Sequence, residues 1–445
     1  MSADAVIGAA SAQMPEAAAA DFIHSLCKPA HILVAISGGS DSTGLLAALA
    51  EHLKSLPNSD VTLSAATIDH GLRAEAAEEA REVAAFCASL RIAHVIRQWE
   101  GEKPKNGIMA AAREARYGLL ADIAAEISAN VIVTAHTIDD QRETLAMRAA
   151  RLGEGEAGAG TGIAEAMLFD RRIWIVRPFL ACRRVDIRAY LTGRDTSWLD
   201  DPSNDDVRYE RVRTRRRLSD DPMQISLPDD ATRALLSVEA ARWLDEHVRI
   251  HAGVLCAIDR AAFAADGAVI SYALSYLAAA IGGEPYGPGR ERMRRILNFI
   301  GEGRPGRRTA GGVVFDLRRD GLYLMRESRD IRPLVLAARA DGIWDGRFRI
   351  VNHGPSVIRI EAAGATGTME FSEGLPKGAV QRARAVLPKV VAGDEGAAVL
   401  ATIAPYLAPF DRFLTRFNLT FADRLAACFG REPYVPSPLS DLLTE

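Results

Sequence analysis

The chain has 445 residues, 48% of them hydrophobic and 25% charged, with a formal net charge of −4; it has room for two or three domains of ~150 residues and the composition of an ordinary globular protein. No apolar run approaches the ~18 residues of a membrane span, and the alanine-rich start lacks the basic region and leucine-type core of a signal peptide, so the cytoplasm is the expected location. Five cysteines (Cys27, Cys87, Cys182, Cys256 and Cys428) stand alone, which argues against a disulfide framework and against a clustered zinc or iron–sulfur site.

The first residues read as a frayed end leading into a short helix. An apolar strand over residues 32–36 comes next, then Ser37-Gly38-Gly39-Ser40-Asp41-Ser42, then a helical pattern over 43–56. Strand, glycine turn and helix start form a phosphate cradle, because unpaired backbone N–H groups and the helix dipole both point at an anion. The lysine of the long nucleotide loop G-x-x-x-x-G-K-[ST] is missing, so this is a different loop. Further strands are expected over 61–68, 92–96, 131–134 and 173–176, and helices over 74–90, 108–127 and 139–152. That alternation predicts an α/β fold, a parallel sheet with right-handed crossovers and helices on both faces. Ligands then bind beyond the carboxyl ends of the strands. Ser37 to Ser42, Asp69-His70-Gly71, and His136 to Asp140 all lie at such ends and can converge on one crevice.

Arg113 and Arg116 share a helical face. They form either a surface ion-pair ladder with Glu114 and Asp122 or a guanidinium fork for phosphate. At the fourth strand end stands His136, able to touch phosphate or move a proton near neutral pH. Asp139, Asp140 and Glu143 follow in the first turns of a helix. The helix dipole alone favours carboxylates there; facing a triphosphate, they would hold Mg²⁺. Residues 153–158 match G-x-G-x-x-G formally, but after a helix rather than a strand, and read as a mobile lid or hinge.

Residues 171–217 carry 13 Arg against 7 Asp plus Glu, an excess of +6, and six of the arginines are Arg208, Arg211, Arg213, Arg215, Arg216 and Arg217. The segment is either a solvated basic face or a polyanion site. Trp198-Leu199-Asp200-Asp201-Pro202-Ser203-Asn204, just before the arginines, reads as a turn. A second domain is expected from about Leu218, with residues 229–300 helical and 311–325 in strands. From about Trp344 the sequence is mixed and poor in motifs, and no internal repeat is present.

In this order the clusters resemble the tRNA(Ile)-lysidine synthetase family of the ATP pyrophosphatase (PP-loop) class. The family pattern is S-G-G-x-D-S, D-H-G-L-R, A-R-x-x-R-Y, A-H-x-x-D-D-Q-x-E-T and W-x-x-D-x-S-N followed by arginines. Here these are residues 37–42, 69–73, 112–117, 135–144 and 198–217. Thr137 stands where the family often has a second histidine, and Arg208-Tyr209 where it usually has Arg-Asn. The resemblance implies a Rossmann-like PP-loop ATPase domain over 1–217, with tRNA-binding segment 171–217. A helical, then α+β, domain would follow over 218–340, with a divergent, tRNA-contacting region over 341–445.

It further implies ATP and Mg²⁺ as cofactors, with free L-lysine and CAU-anticodon tRNA(Ile) as partners; a homodimer is left open. The reaction would adenylate the C2 oxygen of the wobble cytidine and then displace AMP with lysine. By the same resemblance ATP would meet Ser37, Gly38, Gly39, Ser40, Asp41, Ser42, Ile68 and Asp69. Asp41, Arg113, His136 and Asp140 would be catalytic, Asp139 and Asp140 would hold the metal, and the six arginines from Arg208 to Arg217 would bind tRNA. The alternatives are a tRNA thiolase, which the isolated cysteines disfavour, an amide-forming enzyme of the same loop class, and a non-catalytic RNA-binding module.

Overall fold

A computed structural model describes residues 12–56, 58–71, 76–101, 103–104, 107–152, 162–200, 210–220, 230–393 and 399–441. The chain divides into two compact units, residues 1–230 with 436–445, and residues 231–435.

The first unit opens with α1 (Pro15–Ser25). Then β1 (Ala30–Ala35), α2 (Ser40–Lys54), β2 (Val61–Asp69), α3 (Ala76–Ser89), β3 (Ala93–Gln98), α4 (Ile108–Glu126), β4 (Val131–Val133) and α5 (Ile138–Leu152) alternate. Each expected strand and helix is present, with ends shifted by three residues at most. The expected strand over 173–176 is β6 (Ile173–Val176), and beyond the expected elements lie β5 (Ala166–Phe169), α6 (Arg184–Thr192) and α7 (Glu210–Asp220). β5 pairs antiparallel with β6; of this hairpin the sequence pattern gives β6 and misses β5.

Within this unit the strands lie in the order β5-β6-β4-β1-β2-β3. From β1 the chain builds outward through β2 and β3, then crosses back to lay β4 on the other side of β1. All pairs except β5–β6 are parallel. A parallel sheet is covered on both faces, so its strands are continuously apolar rather than alternating. Ile32, Leu33 and Val34 accordingly have no exposure. One side of the core packs Leu33, Ile132 and Ile175 of the sheet against Tyr117, Leu120 and Ile123 of α4. The reversal of order between β1 and β4 is a topological switch point, where the two flanking connections part and leave a crevice.

Residues 231–435 begin with α8 (Asp230–His247). The all-helical expectation for 229–300 is corrected here: a hairpin of β7 (Val248–His251) and β8 (Leu255–Asp259) interrupts it before α9 (Gly267–Gly282) and α10 (Arg290–Gly301). Strands that short carry too few residues to separate period 2 from period 3.6. β9 (Gly306–Ala310), β10 (Val313–Leu317) and β11 (Gly321–Arg326) complete an antiparallel sheet ordered β7-β8-β11-β10-β9. Then come β12 (Leu334–Leu336), β13 (Asp341–Trp344), β14 (Phe348–Asn352), β15 (Ile358–Ala362), β16 (Pro388–Ala392) and β17 (Ala401–Pro405). They form two smaller sheets, β12-β15-β16 and β13-β14-β17. Among the described residues, no helix is long and apolar enough to cross a membrane.

Candidate active site

The loop after β1 turns through Gly38 at φ +85°, and Gly39 caps α2. A Cβ on Gly38 would lie 2.6 Å from Leu199 Cδ1 and 3.0 Å from Val83. Backbone conformation and space thus both demand glycine there. The turn is tied from within: Ser42 Oγ accepts from Ser37 N at 3.1 Å, and Thr43 Oγ1 donates to Gly38 O at 3.1 Å. Leu199 N donates to the same carbonyl at 2.9 Å. The Trp198–Asp200 stretch, legible in the sequence only as a turn, is therefore a brace of the phosphate loop. The first N–H groups of α2 have no partner within the helix and face the crevice end of β1.

Close approach of α2 and α6 delivers the next component. A Cβ on Gly44 would run into Ile187 of α6, so glycine lets the two helices touch. α6 then brings Arg184 Nε to Asp41 Oδ2 at 2.9 Å and Arg184 Nη2 to Asp140 Oδ1 at 3.3 Å. Arg188 Nε reaches Ser40 Oγ at 3.4 Å. Arg184 thus bridges the two carboxylates expected to be catalytic. Burial alone would lower its pKa, but Asp41 and Asp140 raise it; it is a permanent cation. Burial lifts the Asp41 carboxyl above its ordinary value, Arg184 draws it back and Asp140 lifts it again. That influence on Asp41 places the two carboxylates within electrostatic reach of each other.

Asp140 is further held through Oδ2 by Thr137 N at 2.7 Å and Thr137 Oγ1 at 3.0 Å. Thr137 thus fixes the orientation of Asp140. Asp139 accepts from the backbone N–H of Arg184 at 2.8 Å, anchoring the start of α6. Glu143, 2% exposed, takes Arg211 Nε on one oxygen and Arg215 Nε on the other, each at 2.6 Å. Arg211 Nη2 also reaches Asp140 Oδ1 at 2.8 Å. Arg211 and Arg215, read from the sequence as RNA ligands, therefore lie on carboxylates. Arg213, Arg216 and Arg217 are exposed on α7. Arg208, Asn204 and the glycine-rich stretch read as a lid are outside the described residues, as is Arg73.

A third group surrounds the end of β4. His136 Nδ1 lies 3.0 Å from Thr134 Oγ1. Burial holds its imidazole well below the ordinary value, and Arg177, Arg116, Arg113 and Arg211 push the same way, so the ring is neutral at pH 7. Arg113 and Arg116 do not take Asp122, which pairs instead with Arg172 at 2.8 Å. After β2, Asp69 Oδ1 accepts from Gly71 N at 2.7 Å. Ile68 is half-buried against the core. His70 is lowered by burial and then by Arg116, which joins this turn electrostatically to α4. Clusters after β1, β2, β4 and β6 thus meet around the switch point.

A PP-loop domain model matches residues 13–221. The tRNA(Ile)-lysidine synthase of Rhizobium meliloti (strain 1021) is 42% identical over 444 residues, covering 96% of this chain and 98% of that protein. This chain belongs to the tRNA(Ile)-lysidine synthase family. The family enzyme of Mesorhizobium japonicum is 36% identical over 94% of this chain and 95% of its own. Among solved structures, the U34-tRNA thiolase NcsA of Methanococcus maripaludis is 14% identical with a TM-score of 0.39, over 46% of this chain and 71% of that one. A likeness that slight supports no argument about function.

As a member of this family the chain is an ATP-using ligase with a PP-loop domain. Among the described residues no group of three His, Cys, Asp or Glu side chains could hold a metal ion alone. The paired Asp41 and Asp140 carboxylates beside the phosphate loop nevertheless suit Mg²⁺, which takes one or two carboxylates and completes its shell with phosphate oxygens and water. Sequence reasoning misses Arg184, and it reads Glu143 as a metal carboxylate, whereas Glu143 takes Arg211 and Arg215. The helical spacing of Ile187, Tyr190 and Leu191, all buried in α6, is the signal that could have found the first, by placing an arginine at the start of a helix beyond the β6 end.

Proposed function

We propose that this chain joins free L-lysine to C2 of the wobble cytidine in CAU-anticodon tRNA(Ile), with cleavage of ATP to AMP and pyrophosphate, in the cytoplasm. The observation that carries the proposal is the meeting of the Ser37–Ser42 loop with Asp41, Asp140, Arg113, Arg116 and His136 at one switch point. In the first step the C2 oxygen attacks the α-phosphorus and pyrophosphate leaves. The N-terminus of α2, with Ser37, Ser40 and Ser42, receives the phosphates through N–H and O–H donors. Ile68 and Asp69 close the nucleotide side. Arg113 and Arg116 offset the negative charge that grows on the phosphoryl oxygens.

Asp140 and Asp41, with Asp139 beside them, are the residues that would hold Mg²⁺, which supplies Lewis-acid neutralisation of phosphate charge when bound. Arg184 now satisfies those carboxylates and would shift toward phosphate. In the second step a lysine N–C2 bond forms, the C2–O bond breaks, and AMP departs with the oxygen. The ε-amine has an ordinary pKa of about 10.4 and must lose a proton to attack. A carboxylate of the crevice or neutral His136 accepts it, the carboxylates being favoured because four arginines oppose a second proton on His136. Glu143 and Asp140, which already accept guanidinium groups, suit the lysine's ammonium. Arg208, Arg213, Arg216 and Arg217 would follow the tRNA backbone, while Arg211 and Arg215, read from the sequence as tRNA ligands, stay on Glu143.

The test is incorporation of radiolabelled lysine into a CAU-anticodon isoleucine tRNA transcript with ATP and Mg²⁺, while AMP is measured. Labelling matched mole for mole by AMP, and absent from a transcript with uridine at the wobble position, is the expected result. ATP cleavage without lysine transfer would leave the ATP site standing and remove the nucleophile.

A further inference from the structure

Tyr117 follows Arg116 on α4 and lies one turn beyond Arg113, with no exposed surface. Its ring packs at 5.8 Å from that of Phe169, within the core formed by Leu33, Ile132 and Ile175. Around this apolar seat stand three cations. The guanidinium carbons of Arg113 and Arg116 lie 5.7 Å and 5.4 Å from the ring centroid. The third is Arg177, just past β6 and only 2% exposed. Its side chain donates to Ala164 O at 2.6 Å and to Met167 Sδ at 3.2 Å, neither of them charged. A buried cation without counter-charge is unfavourable. Met167, which Arg177 touches, packs in the same core cluster as Tyr117; burial lowers the pKa of Arg177, and the Tyr117 phenol is the strongest influence in the opposite direction.

We propose that Tyr117 is a positioning residue of the ATP-cleaving site, whose ring is the shared seat of Arg113 and Arg116 and whose phenol is the counter-charge of Arg177. The role rests on the reading of Arg113 and Arg116 as phosphate ligands. Two long arginine side chains would otherwise sample many rotamers, and ordering them at each turnover would oppose binding. One ring held rigidly in the core fixes both through cation–π attraction. The groups acting on the phenol or its cations are Arg113 and Arg116 from α4, Arg177 from the β6 end, neutral His136 from the β4 end and His70 from the β2 end. Burial pushes the phenol up; Arg177, then Arg116 and Arg113, outweigh it and bring it down to about 7.

Three forms of the full chain test this: wild type, Tyr117→Phe and Tyr117→Leu. The first measurement needs no substrate. The difference in tyrosinate absorbance between wild type and Tyr117→Phe should reveal a phenol that ionises near neutral pH, ahead of ordinary tyrosines at about 10. If no extra phenol ionises below about pH 9, the counter-charge role falls. The second measurement is steady-state lysine transfer as ATP is varied. Tyr117→Leu should raise the KM for ATP about tenfold, the scale of removing one or two cation–π interactions. Tyr117→Phe should restore that KM while losing the part of the kcat profile that titrates near pH 7.

Equal KM values in the Phe and Leu variants would overturn the seat, and an unchanged pH profile in Tyr117→Phe would overturn the phenol's part. Should Tyr117→Leu fail to fold, Tyr117→Met, which keeps an unbranched apolar filler, supplies the ring-less comparison. A wild type that transfers no lysine would sink the proposed function and leave the absorbance titration to decide the counter-charge.

Discussion

Each unit of the chain contains a buried network of arginine and carboxylate, and the two are built differently. In residues 231–435, Asp345 sits at the centre. Arg326 grips it with two bonds of 3.1 Å, and Arg347 Nε adds a third at 2.7 Å. The remaining arginine donors mostly meet backbone carbonyls of Gly312, Glu327 and Val386. Arg347, brought down to about 10 by burial despite Asp345, is still cationic at neutral pH. One carboxylate there serves two arginines, so no partner is spare. At the switch point of the first unit, Asp41, Asp140 and Glu143 share Arg184, Arg211 and Arg215 in a chain of bridges. Either Arg211 or Arg215 could leave and all three carboxylates would still be paired. The same chemistry thus gives a clamp in one unit and an exchangeable set of ion pairs in the other, as a site that must admit substrate charge requires.

The sharpest break between the two comes from removing one carboxylate from each. Asp140→Ala should reduce AMP formation by on the order of 10³-fold, the scale for removal of a charged group that acts in the transition state. Its unfolding midpoint should hardly move, because Arg184 keeps Asp41 and Arg211 keeps Glu143. Asp345→Ala should do the reverse. It leaves two buried guanidinium groups without a counter-ion and should cost about 3–5 kcal/mol of stability in denaturant unfolding. Adenylation in whatever fraction stays folded should persist. A large stability loss in Asp140→Ala would make its network structural too, and the comparison would collapse.

A smaller effect should separate loop geometry from loop charge. Gly38→Ala forces a side chain into positive φ, a strain of about 1–3 kcal/mol, and into the space of Leu199. The substitution should raise the KM for ATP, and shortening Leu199 to Ala in the same chain should recover part of the loss. No recovery would mean that backbone strain alone sets the glycine requirement.

Much of this architecture is legible in the sequence. The β-α alternation determines the sheet, because a strand buried on both faces is apolar throughout and the turn after it must contain glycine. The loop around Ser37 and the carboxylates after β4 are legible for the same reason: their chemistry is local to one strand end. The bridge from Arg184 to Asp41 is not. It joins residues 143 positions apart, and it depends on α6 touching α2 at Gly44, which local patterns do not encode. Tyr117 is hidden differently: its two sequence neighbours Arg113 and Arg116 are legible, but its link to Arg177 exists only in three dimensions. In the second unit, the four-residue and five-residue strands of the β7–β8 hairpin leave no period to detect.

The smallest predicted effect concerns α7, where exposed and half-buried arginines alternate along one helix. Arg216 and Arg217 are exposed, whereas Arg215 ends on buried Glu143. Each arginine–phosphate pair removed should flatten the dependence of log affinity on log salt by roughly 0.7 to 0.9. The Arg216→Ala/Arg217→Ala double variant should therefore weaken tRNA binding modestly at low salt and lower the slope by between one and two such steps, with adenylation at saturating tRNA retained. Arg215→Ala should leave the slope nearly unchanged while disturbing turnover through Glu143, because a guanidinium already neutralised by a carboxylate releases few counter-ions from RNA. A slope change as large in Arg215→Ala as in the double variant would mean that Arg215 leaves Glu143 when tRNA arrives. The carboxylates of the crevice would then be uncovered by the substrate itself.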